Sequence, residues 1–100
     1  MNARILESDS KVIKRFFNLD THTYRAGALD KKTKELLGLC ISLGMRCNSC
    51  VKYHIGEALA AGATEPELVE TFEIALLVGG SIVIPELRYA YQYMDELLKK

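Results

Sequence analysis

Apolar positions along the chain recur at helical spacing, and turn residues cut them into five segments. Between Ser8 and Asn18, Val12/Phe16 and Ile13/Phe17 form i,i+4 pairs opposite Lys11, Lys14 and Arg15, which predicts a short amphipathic helix. Residues 18–29, with His22, Tyr24 and Gly27, show little periodicity and are expected to form a loop or broken turn. Asp30 suits the N-cap of a second helix running to about Arg46. Its first turns are charged, whereas Leu36 to Met45 carries no charge on any face. Such a stretch should be buried on most sides, as a central helix or one covered by another subunit. A third helix should run from about Asn48 to Gly62, with the glycine just past its end. Thr64-Glu65-Pro66-Glu67 has the capping-box pattern, with proline in the first turn where its missing N–H is harmless, and opens a fourth helix ending at Gly79-Gly80. The fifth starts near Ile82 or Pro85 and carries the stripe Val83, Leu87, Ala90/Tyr91, Met94 and Leu97/Leu98. No segment alternates as a half-buried strand would. The expected fold is all-α, a compact domain of about five helices spanning residues 1–100.

Composition narrows the classes of function. A hydrophobic share of 49% excludes a disordered chain. Thirteen basic and thirteen acidic residues leave no net charge, which argues against nucleic acid or an anionic membrane as partner. The longest uncharged stretch, Ile74 to Pro85, is too short to span a bilayer and is broken by Gly79-Gly80. With no apolar leader and cleavage site visible, a cytoplasmic protein is expected. Leu76, Leu77, Val78, Ile82, Val83 and Ile84 crowd around the double glycine, more apolar surface than five short helices should bury alone. Homo-oligomerisation is the expected remedy.

Candidate chemistry resides in the cysteines. Three in a chain of this size do not make a disulfide framework, but Cys47-Asn48-Ser49-Cys50 is a tight pair. If Asn48 caps the third helix, Cys50 sits at N2, where free backbone N–H groups and the helix dipole stabilise a thiolate. Cys47 lies within disulfide reach of it. His54 stands one turn beyond Cys50 on the same face, placed to accept or relay the thiol proton. The spacing alone admits a redox dithiol, a zinc site of Cys47, Cys50 and His54 completed by Glu35 or His22, or two small buried hydrophobes. A second C-x-x-C knuckle, usual in structural zinc sites, is missing, and so is the strand that precedes a thioredoxin-like motif. Cys40, on the apolar helix, reads as a packed small hydrophobe. His22 and Tyr24 are further candidates to line a pocket, while Tyr89 and Tyr93 read as surface or interface residues.

Glu35, eleven residues, Cys47-Asn48-Ser49-Cys50, three residues and His54 together resemble the E-x11-C-x-x-C-x-x-x-H signature of alkylhydroperoxidase D-like proteins, within the carboxymuconolactone decarboxylase family. The flanking Leu29 to Leu37 and Ala58 to Glu67 are similar too, so that the resemblance covers about residues 27–80. It implies an all-helical fold that assembles as a homotrimer or homohexamer. It also implies a thiol-dependent peroxidase without metal or cofactor, in which Cys50 attacks a small hydroperoxide and Cys47 resolves the sulfenic acid as a disulfide. Glu35 and His54 would be the proton relay, and a dithiol, lipoyl or thioredoxin-like reductant would restore the pair. Ser49 stands where the best-known peroxidase of the family has a second histidine, and a hydroxyl cannot take a proton near neutral pH, which implies a shorter relay. The decarboxylase branch typically lacks the cysteine pair, so that activity is not expected. The alternative is a metal-binding or redox-sensing module using Cys47, Cys50 and His54 without turnover.

Overall fold

A computed structural model describes residues 2–100 and contains no strand among them. Its elements are α1 (Asn2–Leu6), α2 (Lys11–Thr23), α3 (Lys31–Gly44), α4 (Asn48–Ala60), α5 (Glu65–Gly79), a 3-10 turn (Ser81–Val83) and α6 (Ile84–Leu98). Local chemistry starts three of these helices. Ser10 accepts from the Ile13 amide at 3.2 Å, and Asp30 accepts from the Thr33 amide at 2.7 Å. Thr64 and Glu67 form the reciprocal capping box, at 3.3 and 2.8 Å, with Pro66 in the first turn.

Two boundaries differ from the sequence reading. The short helix α1 carries no apolar period to announce it. Helix α2 runs on to Thr23, where a loop was expected from residue 18. Its C-terminal end is held by a contact from another element: the Lys34 ammonium donates to the carbonyls of Thr23 at 2.8 Å and Arg25 at 2.7 Å. A cation on orphan carbonyls at a helix end is favourable, and nothing in residues 18–29 reveals it.

The core is formed by Leu39 and Leu43 of α3, Val51, Ile55 and Ala58 of α4, Leu68, Phe72 and Ala75 of α5, Val83, and Ala90 and Met94 of α6. Within the single chain helix α3 is not buried on most sides, as a central helix would be. Leu37, Ile41 and Met45 remain 49%, 61% and 75% exposed. Helix α2 buries none of its residues, and its Phe16 and Leu19 are exposed.

The α3–α4 connection sets the site. The Arg46 amide donates to the Leu43 carbonyl at 3.1 Å and the Cys47 amide to the Ser42 carbonyl at 3.0 Å, the paired bonds of a Schellman turn. Arg46 occupies the left-handed position, φ 60°, where glycine is usual. Its guanidinium Nε donates to Glu86 of α6 at 3.2 Å, a carboxylate only 5% exposed. That ion pair ties the turn to the far side of the core.

Candidate functional site

Because the turn delivers Cys47 with its carbonyl accepting from the Val51 amide at 2.9 Å, Cys47 itself is the N-cap of α4. Cys50 therefore stands at N3, one place beyond the N2 position expected with Asn48 as cap. It is still in the first turn, among amides that no capping side chain satisfies. Cys47 and Cys50 are joined as a disulfide with Cα atoms 5.3 Å apart. Cys50 is exposed and Cys47 half-buried, with Ser49 Oγ 3.6 Å from the Cys47 sulfur.

Glu35 and His54 meet behind this pair. Glu35 is buried, 2% exposed, although it lies among the charged first turns of α3. One carboxylate oxygen lies 2.8 Å from His54 Nδ1, and the other accepts from Lys31 Nζ at 3.2 Å. With Nδ1 engaged, Nε2 is the nitrogen free for other proton exchange. The imidazole lies between two tyrosines, its centroid 5.3 Å from a stacked Tyr53 and 5.6 Å from a tilted Tyr24. A Cβ at Gly38 would approach His54 Cε1 and the Tyr24 hydroxyl to 2.8 Å and His54 Nε2 to 3.0 Å. Both rings thus close over a position only glycine leaves vacant.

A cleft of about 390 Å³ opens at this place, lined by Asp20, Ser49, Cys50, Tyr53 and His54. A larger depression of about 510 Å³, between Glu73, Leu76, Leu77, Ser81 and Ile84, shares no lining residue with it. Burial raises the Tyr24 hydroxyl pKa, helped by the nearby charges of Glu35 and Asp20. Tyr53, 48% exposed, is pushed up to about 12 by burial of part of its side chain and by the Glu57 carboxylate nearby. Burial also raises the Cys40 thiol, which keeps it protonated and unreactive, in line with a packing role.

Of the residues singled out in the sequence, Glu35, Cys47, Cys50, His54 and Tyr24 come together. His22 does not: it is exposed, with Nδ1 3.2 Å from Arg25 Nη1. Tyr93 is half-buried against the core and Tyr89 exposed beside it. Among the described residues no three of His, Cys, Asp and Glu are grouped to hold a metal ion. Asp20 and Tyr53 escaped the sequence reading. Asp20 falls in residues 18–29, whose weak periodicity predicts a loop, and Tyr53 carries no signal beyond its place next to His54.

A helical scaffold with an exposed disulfide at a helix start, backed by a buried carboxylate–imidazole pair, defines a dithiol protein of thioredoxin-unlike architecture. The chain belongs to the carboxymuconolactone decarboxylase family, whose sequence model matches residues 11–96. A protein of Thermotoga maritima, in two crystal structures, superposes with TM-scores of 0.93 and 0.91 at 48% and 46% identity. These cover 98% and 97% of this chain and 86% and 83% of that one. One of the two is described as a family protein with a suggested part in an antioxidative response. An apo family protein of Legionella pneumophila gives a TM-score of 0.87 at 29% identity, over 94% of this chain and 84% of that one. Among curated sequences, an uncharacterized protein of the Paracoccus denitrificans cox locus is 27% identical over 82 residues, 82% of this chain and 74% of that protein. An uncharacterized protein of Cupriavidus necator is 31% identical over 71 residues, 71% of this chain. The chain spans 63% of that relative's length.

Proposed function

We propose that this protein is a thiol-dependent peroxidase that cycles Cys47 and Cys50 between dithiol and disulfide. The observation that carries the reading is the 2.8 Å contact of His54 Nδ1 with buried Glu35, set beside an exposed Cys50 in the same cleft. In the reduced protein the Cys50 thiolate attacks a hydroperoxide oxygen. An S–O bond forms, the O–O bond breaks, and the alcohol leaves with a proton while Cys50 becomes a sulfenic acid. The Cys47 sulfur then attacks Cys50, the S–O bond breaks, and water leaves with the disulfide formed. His54, oriented by Glu35, takes the thiol proton and returns it to the leaving oxygen. Two electrons from an external dithiol restore the pair.

The exposed apolar residues on α2, α3 and α5 support self-association, proposed as a homotrimer or homohexamer, since Phe16, Ile41, Leu77 and Val78 are each more than half exposed.

The test is peroxide consumption by the reduced protein with cumene hydroperoxide and dithiothreitol. Cys50→Ser should abolish it. Cys47→Ser, reduced and then freed of dithiothreitol, should consume one equivalent and leave a sulfenic acid that dimedone labels. Sustained turnover by Cys50→Ser would end the proposal.

A further inference from the structure

We propose that Asp20 is a specificity-determining residue that filters, by charge, the thiols able to reach the disulfide. The proposal rests on reading Cys47–Cys50 as redox-active, and it names the class of reductant that site accepts: neutral or cationic thiols in preference to anionic ones.

Asp20 projects from the last turns of α2 into the cleft that holds Cys50. Of the five lining residues it is the only carboxylate, and the His54 imidazole is engaged by Glu35 at 2.8 Å. Its field reaches the site's aromatic walls, since it helps to raise the hydroxyls of both Tyr24 and Tyr53. Glu57 adds a second negative charge near the Tyr53 hydroxyl. Lys34 donates its ammonium to the carbonyls of Thr23 and Arg25, Arg25 directs Nη1 to His22 at 3.2 Å, and Lys31 is paired with Glu35. Asp20 itself has no ion pair among the described residues.

Reduction begins when an external thiolate attacks the exposed Cys50 sulfur. The Cys47–Cys50 bond breaks, a mixed disulfide forms on Cys50, and Cys47 leaves as a thiolate that takes up a proton. A second thiolate attacks the incoming thiol's sulfur, releasing Cys50 and an oxidised external disulfide; two electrons have passed to the pair. Every such attack brings negative sulfur toward Asp20. A second negative charge on the reductant adds to the repulsion, and an ammonium group offsets it.

The effect is read from single-turnover reduction of the full-length disulfide protein by cysteamine, 2-mercaptoethanol and 3-mercaptopropionate, quenched by alkylation and followed by mass. Rates are divided by those for a neutral small-molecule disulfide, which removes differences in thiol pKa and intrinsic nucleophilicity. At low ionic strength the corrected cysteamine rate should exceed that of 3-mercaptopropionate by about tenfold, from roughly threefold per unit charge in a solvated cleft. Asp20→Asn should reduce this ratio to about two, Asp20→Glu should keep it, and half-molar salt should shrink it in the parent. An unchanged ratio in Asp20→Asn overturns the proposal. Equal corrected rates in the parent also overturn it while leaving the disulfide's redox competence established. A disulfide that none of the three thiols reduces overturns both readings.

Discussion

His54 Nδ1 lies 2.8 Å from a Glu35 carboxylate oxygen on the neighbouring helix, nineteen residues earlier in the chain. Glu35 is 2% exposed, so this contact fixes the imidazole orientation with little competition from water. Lys31 holds the second oxygen and keeps the carboxylate from being an isolated buried charge.

Glu35→Gln keeps the shape and removes the charge. It should slow alkylation of Cys50 by iodoacetamide in the reduced protein on the order of a hundredfold, the usual scale of a lost general base. Chemical denaturation should show a much smaller change, because the amide can still accept one of the hydrogen bonds. Equal alkylation rates in variant and parent would remove Glu35 from the relay.

Gly38→Ala separates stability from site geometry. Alanine favours a helix by up to about 1 kcal/mol over glycine. Its Cβ would press on the ends of two side chains, His54 and Tyr24, which can swing away. The midpoint of urea unfolding should change little, while the displaced His54 leaves Glu35 and Cys50 reactivity falls at least tenfold. Full reactivity in this variant would show that the ring position is unimportant.

Alkaline titration should single out Tyr53. Its hydroxyl is held protonated to about pH 12 in the folded protein, above the ordinary 10.0. The folded state therefore binds that proton more tightly. The associated stability is present below pH 10 and is lost as pH rises toward 12. Of the five tyrosines, Tyr53 should be the last to ionise by absorbance at 295 nm, and Tyr53→Phe should remove that late step. The same late step in Tyr53→Phe as in the parent would mean that its surroundings do not hold that proton.

Arg46→Gly sets two effects against each other. Glycine relieves the left-handed backbone, a gain of about 1 kcal/mol. Losing the guanidinium leaves Glu86 buried without a counter-charge, and its second oxygen already has no partner among the described residues. Because Arg46 is half exposed, the loss should be on the order of 2 kcal/mol, below that of a fully buried pair. The variant should unfold at lower urea than the parent, and adding Glu86→Gln should restore most of the difference. A stabilised Arg46→Gly would mean that backbone strain outweighs the ion pair.

Sedimentation velocity tests the proposed assembly. The parent should run as three or six copies at micromolar concentration. Leu77→Glu should yield smaller species, because Leu77 is 85% exposed on α5 and a carboxylate there would be desolvated in any interface. A monomeric parent would leave the apolar faces of α2 and α5 for some other partner.

What the sequence determined by itself is local. Helical periodicity, the caps Asp30 and Thr64, the capping partner Glu67 and the break at Gly79-Gly80 act over one turn of chain, and four of the long helices begin or end close to where those signals lie. The spacing of Cys47, Cys50 and His54 is likewise within a single helix, so their proximity follows from the helical repeat alone. The tertiary structure decided what depends on contacts between elements. Lys34 reaches back eleven residues to the Thr23 carbonyl and lengthens α2, which carries Asp20 to the cleft and Tyr24 to the imidazole. The Schellman turn at Arg46, rather than an Asn48 cap, sets the start of α4, because a tie to Glu86 forty residues away supports a backbone shape that arginine alone disfavours. Periodicity marked Glu35 only as a charge near an apolar helix; the packing of α3 against α4 buries it and gives it to His54. No one-turn signal encodes such a pairing, since it exists only once two helix faces have met.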